Sequence, residues 1–183
     1  MFRKSIVALL LVILSLSFIY CALALDASSF NTENQQRVAK DSLGNLHLVY
    51  ASQGEIFYQE SSDDGESWDD PVNISQTEGK SDYPAIAVDS EDNLYVVWDE
   101  FTPNGNYIIL FKKFSVDKGW DDKPANVSTA LAWAWYPSIS VDSKGNVRVT
   151  WLEVLPRQMR VLYKKYISGK GWESVAKVLG VIL

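Results

Sequence analysis

The chain has 183 residues, 47% of them hydrophobic and 13% aromatic, with 22% charged and a formal net charge of −6. That composition excludes a disordered chain, a collagen-like chain and a small disulfide-stapled scaffold, and the length fits one domain of ordinary size. The acidic balance argues against nucleic acid as a main partner, because phosphate binding needs clustered Lys and Arg.

Met1 to Ala24 reads as an export signal. Arg3 and Lys4 give a positive start, the run from Ser5 to Ala24 carries no charge, and Ala22-Leu23-Ala24 supplies a small-x-small cleavage pattern. Removal of these 24 residues leaves 159 with a net charge of −8. The competing reading is an uncleaved membrane anchor over residues 5–24, a run nearly long enough to span a bilayer. A lipoprotein reading of Cys21 is weakened by the bulky Tyr20 before it. Each reading places the remainder outside, either secreted or held on the outer face of the membrane. Cys21 is the only cysteine, so the mature chain has no thiol, disulfide or Cys-based metal site. His47 is the only histidine and sits in the alternating run Leu46-His47-Leu48-Val49-Tyr50, which reads as a strand. No metal and no cofactor are expected.

The mature chain then repeats itself three times. Val38 to Tyr50, Ile86 to Trp98 and Ile139 to Trp151 each carry an alternating apolar run, an Asp-Ser-x-Gly/Asp-Asn turn and a second alternating run ending in an aromatic residue. This is a β-hairpin three times over, with the aspartate accepting backbone N–H groups and Gly or Asn supplying positive φ. A third apolar run follows in each unit: Ile56 to Tyr58, Tyr107 to Phe114 and Val161 to Ile167. Trp68, Trp120 and Trp172 come next at equal spacing, and Pro71 to Ser75 and Pro124 to Ser128 read as short fourth strands. Four short strands in a unit of about 50 residues are the signature of a β-propeller blade. The expected fold is therefore all-β, with three four-stranded antiparallel blades over about 35–76, 83–129 and 136–179 and an incomplete ring.

Ser61-Ser62-Asp63-Asp64-Gly65-Glu66-Ser67-Trp68 resembles the Asp-box of the BNR (bacterial neuraminidase repeat), sialidase-like propeller superfamily, matching Ser61, Asp63, Gly65, Ser67 and Trp68. Ser115, Asp117, Gly119 and Trp120 form a second copy two residues shorter; the third retains Trp172 but has Gly169 in place of the aspartate. The resemblance implies a structural role for these boxes, away from the active face. It also implies a sialidase-type site: an arginine triad, a tyrosine nucleophile with its glutamate and an aspartate acid/base. After the signal the chain has only Arg37, Arg148, Arg157 and Arg160, and the matching strand starts read Tyr83-Pro84 and Tyr136-Pro137. No catalytic residue is assigned. A sialidase-like glycosidase, active only within a complete propeller, remains as the alternative reading.

A binding role fits the residues better. Trp133, Trp135 and Tyr136 are expected in the connection from the second blade to the third, where aromatic planes stack on sugar rings. Asp99, Glu100 and Glu153, at the ends of second strands, would accept hydroxyl hydrogen bonds. The plainer reading is that the two indoles fill the gap between blades. Asp63, Asp64, Asp69, Asp70, Asp121 and Asp122 do not have the spacing of a calcium loop and read as solvated turns. Asn73-Ile74-Ser75 and Asn126-Val127-Ser128 are glycosylation sequons. Three blades do not close a ring. The chain is thus expected to pair with itself or with another protein, or to be a remnant of a longer propeller, and its apolar ending Val178 to Leu183 suits each case. The function expected is a non-catalytic extracellular module for a glycan or protein ligand.

Overall fold

A computed structural model describes residues 36–128 and 132–182. The expected signal or anchor over Met1 to Ala24, with Cys21, lies outside the described residues. Among those described there is no helix: the architecture is three antiparallel sheets. The first holds β1 (Val38–Lys40), β2 (Leu46–Ser52), β3 (Glu55–Ser61) and β4 (Val72–Asn73). The second holds β5 (Lys80–Val88), β6 (Leu94–Phe101) and β7 (Tyr107–Ser115), with β8 (Gly119–Trp120) and β9 (Ala125–Asn126) both paired to β7. The third repeats this with β10 (Trp133–Val141), β11 (Val147–Leu155) and β12 (Gln158–Ile167), which pairs with β13 (Gly171–Trp172) and β14 (Lys177–Ile182). In these last two sheets the fourth strand is thus broken into a tryptophan piece and a piece beyond it.

The first turn of each blade is built alike. Asp41 accepts the amides of Leu43 and Asn45 at 3.0 and 2.7 Å, Asp89 those of Glu91 and Asn93 at 2.9 and 3.0 Å, and Asp142 those of Lys144 and Asn146 at 3.1 and 3.0 Å. A carboxylate ties down turn amides that would otherwise be left without partners. The left-handed position of these turns is Gly44, Asp92 and Gly145, with φ of 96°, 60° and 70°. The asparagine that follows holds the aspartate through its side-chain amide. Asp92 tolerates a conformation suited to glycine because its carboxylate ties the first blade to the second, accepting Ser42 N and Oγ at 2.8 and 2.7 Å.

The aspartate has one further neighbour that the turn pattern does not announce, in the same register on the second strand of each blade. His47 Nε2 lies 3.5 Å from Asp41, Tyr95 donates its hydroxyl to Asp89 at 2.7 Å, and Arg148 pairs with Asp142 at 3.1 Å. The single histidine is therefore one of three variants of a structural position. Its Nδ1 meets the Tyr58 hydroxyl at 2.8 Å.

The core lies between sheets. Val49, Ile56, Tyr58 and Ile74 of the first pack on Ile86, Leu94, Val96 and Trp98 of the second. Val97, Ile109, Phe111 and Val127 of the second pack on Val147, Val149, Trp151 and Leu162 of the third. The middle sheet is covered on both faces, and this is why β6 reads as a nearly continuous apolar run rather than an alternation.

Candidate functional site

The two ends of the stack differ. Leu46 is opposite Ser61 in the first sheet, so the Asp41 turn and the Ser61–Trp68 loop share one end, and the β2–β3 turn at Gln53-Gly54 is at the other. At the first end, Asp63 accepts the Ser67 amide at 2.9 Å, its hydroxyl, and the Ser61 hydroxyl at 2.8 Å; Ser61 Oγ also receives the Gly65 amide at 2.9 Å. Bonds from the Ser67 side chain and amide hold the Asp63 carboxyl down at about 2. In the second copy Ser115 O accepts the Lys118 amide and Gly119 takes φ of 78°. Trp120 meets Tyr58 edge-on at 5.2 Å, and Trp172 meets Phe111 at 5.0 Å, so these indoles seal the seam with the preceding blade. Asn73 Oδ1 accepts the amides of Ser75 and Gln76 at 3.1 and 3.2 Å, and Asn126 Oδ1 the Ser128 hydroxyl at 3.2 Å.

The opposite end carries the concavities. A cleft of about 570 Å³ between the first two blades is lined by Ala51–Gly54, Lys80–Tyr83, Asp99, Phe101 and Tyr107. A recess of about 150 Å³ shares Tyr83, Asp99 and Tyr107 with it and adds Trp135 and Tyr136. A third hollow of about 310 Å³ lies beside Asn106, Trp133 and Leu155.

The backbone is strained where these meet. Tyr83 and Tyr136 take φ of 50° and 53°, each directly before a proline. Each falls within a register break, between Asp82 and Ala85 in β5 and between Trp135 and Ser138 in β10. A non-glycine residue in this region costs about 1–3 kcal/mol and persists where its surroundings over-determine it, often at ligand sites. The bulges bring both tyrosines to one place, their rings edge to face with centroids 4.8 Å apart. Phe101, Tyr107, Trp135 and Trp133 continue the aromatic wall: Tyr107 lies 4.9 Å from Phe101, 5.1 Å from Trp135 and 6.1 Å from Trp133. Trp133 is 46% exposed, while Trp135 Nε1 is buried with no hydrogen-bond partner among the described residues.

Asp99 lies beneath the two tyrosines, 2% exposed. Burial pushes its carboxyl up to about 8; the Tyr136 amide, donating to Oδ2 at 3.0 Å, opposes this and the Asp82 charge adds to it. With its carboxyl held so high, Asp99 carries a proton at neutral pH and so has a hydroxyl able to donate beside the oxygen that accepts the Tyr136 amide. Tyr83 is also raised, by burial first and then by Tyr136, Asp82 and Asp99. The register partners of Asp99 in the other blades are Ala51 and Leu152, so the second blade alone has a carboxyl here.

Of the acids expected here, Asp99 alone lines a cleft. Glu100 is buried under the hydroxyls of Thr77 and of Ser81, the latter at 3.1 Å. Glu153 is buried in a two-point pair with Arg160, through Nε at 2.9 Å and Nη2. Arg148 pairs with Asp142 at the other end of β11, so the two paired arginines do not converge on one anion. Trp133, Trp135 and Tyr136 are the opening residues of β10 rather than an inter-blade connection: the bulge lets the strand run through Pro137 instead of starting after it. Tyr83, Tyr107, Phe101 and Lys80 also line the cleft, and the sequence marks them only through the repeated Tyr-Pro dipeptide at Tyr83 and Tyr136.

No family model matches the chain, and no curated protein does. Among solved structures it resembles a polysaccharide lyase, an ulvan lyase, with TM-score 0.58 and 15% identity over 74% of this chain and 41% of that one. A Hadza microbial sialidase follows with TM-score 0.55 and 12% identity over 74% and 35%. A protein of unknown function from Dyadobacter fermentans gives TM-score 0.55 and 13% identity over 74% and 49%. The chain thus spans less than half the length of each of these structures. At such identities the likeness is one of fold: the chain is an all-β protein of stacked, propeller-like antiparallel blades.

Proposed function

We propose that this chain is an exported BNR/Asp-box repeat protein that acts as a non-catalytic extracellular binding module for glycans. The observation that carries this reading is the paired cleft at the end away from the Asp-box loop. Tyr83, Tyr107, Trp135 and Tyr136 give ring planes of the kind that stack on pyranose faces, and the protonated Asp99 carboxyl supplies a donor for a hydroxyl or a carboxylate. Two relatives by fold are named for carbohydrate chemistry, the ulvan lyase and the sialidase, and one ulvan lyase structure holds a GlcA–Rha3S saccharide. The geometry at Asp63 fits the structural role of an Asp-box, and the uncharged run after Arg3 and Lys4 supports export or anchoring.

One observation favours a second reading, an enzyme acting on the same ligand class. A carboxyl titrating near 8 beside strained tyrosines has the acid–base character of a proton-transfer site. The experiment titrates the chain's intrinsic tryptophan fluorescence with neutral, uronate-containing and sialylated oligosaccharides, followed by product analysis. Saturable quenching without new product is the expected result; turnover selects the enzyme, and absence of any response up to millimolar saccharide overturns both.

A further inference from the structure

The two internal seams obey one rule. The preceding blade offers the side chains in register with Val49, Tyr58 and Ile74, and the following blade offers those in register with Leu48, Tyr50 and Phe57. The plug residues beyond the third strand, Ile74 and Val127, are 1% and 0% exposed. From the following blade a tryptophan reaches back, Trp120 onto Tyr58 and Trp172 onto Phe111. A lysine reaches back beside it: Lys112 Nζ donates to Ile74 O and Lys164 Nζ to Val127 O, both at 3.0 Å.

Carried outward, the same rule describes two faces that have no partner among the described residues. The third blade offers Thr150, Val161, Tyr163 and Leu179, and Leu179 is 61% exposed where Ile74 and Val127 are sealed. The first blade offers Leu46, Leu48, Tyr50 and Phe57, half-buried where their counterparts Leu94, Val96, Trp98 and Leu110 are buried. Trp68 stands in the place of Trp120. Gln59 stands in the place of Lys112, its amide donating at 2.7 Å to Asp69 O of its own loop.

The two outer blades carry opposite net charge. Residues 36–79 carry nine acidic and two basic side chains, a net −7, whereas residues 133–182 carry eight basic and three acidic, a net +5. We propose that the outer face of the third blade docks head to tail on the outer face of the first blade of a second copy. Two copies joined twice in this way form a closed six-bladed ring about a two-fold axis. Leu179 then plugs the new seam, Trp68 lies on Tyr163 of the second copy, and the opposite charges speed the encounter. This stands apart from the glycan reading, since neither face includes the cleft residues.

Sedimentation velocity of the full 183-residue chain in a mild non-ionic detergent tests it. A dimer is expected, weakened by about 0.5 M NaCl, where charges more than a few Å apart are screened. L179D and L48D should each weaken the dimer ten-fold or more with unchanged far-UV circular dichroism, while V175D, at an exposed position off the seam, should not. An equimolar mixture of L179D and L48D should recover dimer, because one of its two seams is intact. A wild-type monomer, a dimer indifferent to L179D, or no recovery on mixing would overturn the proposal.

Discussion

Tyr83 and Tyr136 occupy the same position in successive blades, each in the left-handed region before a proline, and their rings meet at 4.8 Å above Asp99. Two strained residues that brace each other place a flat aromatic pair at the mouth of both clefts. Tyr136→Ala removes the ring but leaves the amide that donates to Asp99. We predict that it lowers saccharide affinity about ten-fold, equivalent to about 1.4 kcal/mol, with little change in the urea midpoint. A fluorescence titration alongside a urea melt separates the two effects.

Asp99 makes stability depend on pH in a defined direction. Its carboxyl titrates near 8 in the folded chain and near 3.8 when unfolded. The unfolded chain therefore releases this proton first, so the contribution is fully present below about pH 4, falls as pH rises to about 8, and is level above that. For one proton the slope is at most about 1.4 kcal/mol per pH unit. Asp99→Asn should flatten this part of the curve, so that the variant gains on wild type between pH 5 and pH 8. Urea melts across that interval measure it, and parallel curves would show that Asp99 is ionised in the fold.

Asp89 and Asp63 look alike in the sequence and differ in burial. Asp89 accepts from Glu91, Asn93 and the buried Tyr95 hydroxyl; burial pushes its carboxyl up, but the Tyr95 and Asn93 bonds outweigh this and hold it low. Asp89→Ala strands that hydroxyl and two turn amides, and should cost about 2–4 kcal/mol. Asp63→Ala, in a solvated loop, should cost less. Equilibrium denaturation of the two variants decides the order.

Gly79 and Gly105 separate space from conformation. A Cβ on Gly79 would fall 2.5 Å from the Glu100 side chain, forcing the carboxylate off Thr77 and Ser81. Gly79→Ala should therefore cost about 1–3 kcal/mol. Gly105 has open space around it but φ of 79°, and Gly105→Ala should cost about 1–2 kcal/mol from the backbone alone. Thermal melts compare them, and a Gly79→Ala chain as stable as wild type would count against the buried Glu100 network.

The blades were legible because their turns are local. Asp41, Asp89 and Asp142, each with its asparagine, announce a hairpin through chemistry that spans five residues. The partners on the second strand, His47, Tyr95 and Arg148, share a position but no chemical type, so no pattern of residue kinds reveals them. The site was legible in part. Trp135, Tyr136 and Asp99 stand out by type, but their convergence depends on two bulges that move Tyr83 and Tyr136 toward each other. Glu100 and Glu153 resemble Asp99 in the sequence; Thr77, far along the chain, and Arg160, opposite Glu153 across the β11–β12 hairpin, occupy them instead.

Hydrogen–deuterium exchange of the full chain, with and without a saturating oligosaccharide found by the fluorescence titration, tests the placement of the ligand most directly. Slowed exchange is predicted in Ser52–Gly54, Lys80–Tyr83 and Trp133–Tyr136, with none in Ser61–Trp68. Protection centred on Ser61–Trp68, with the cleft segments unchanged, would contradict the account.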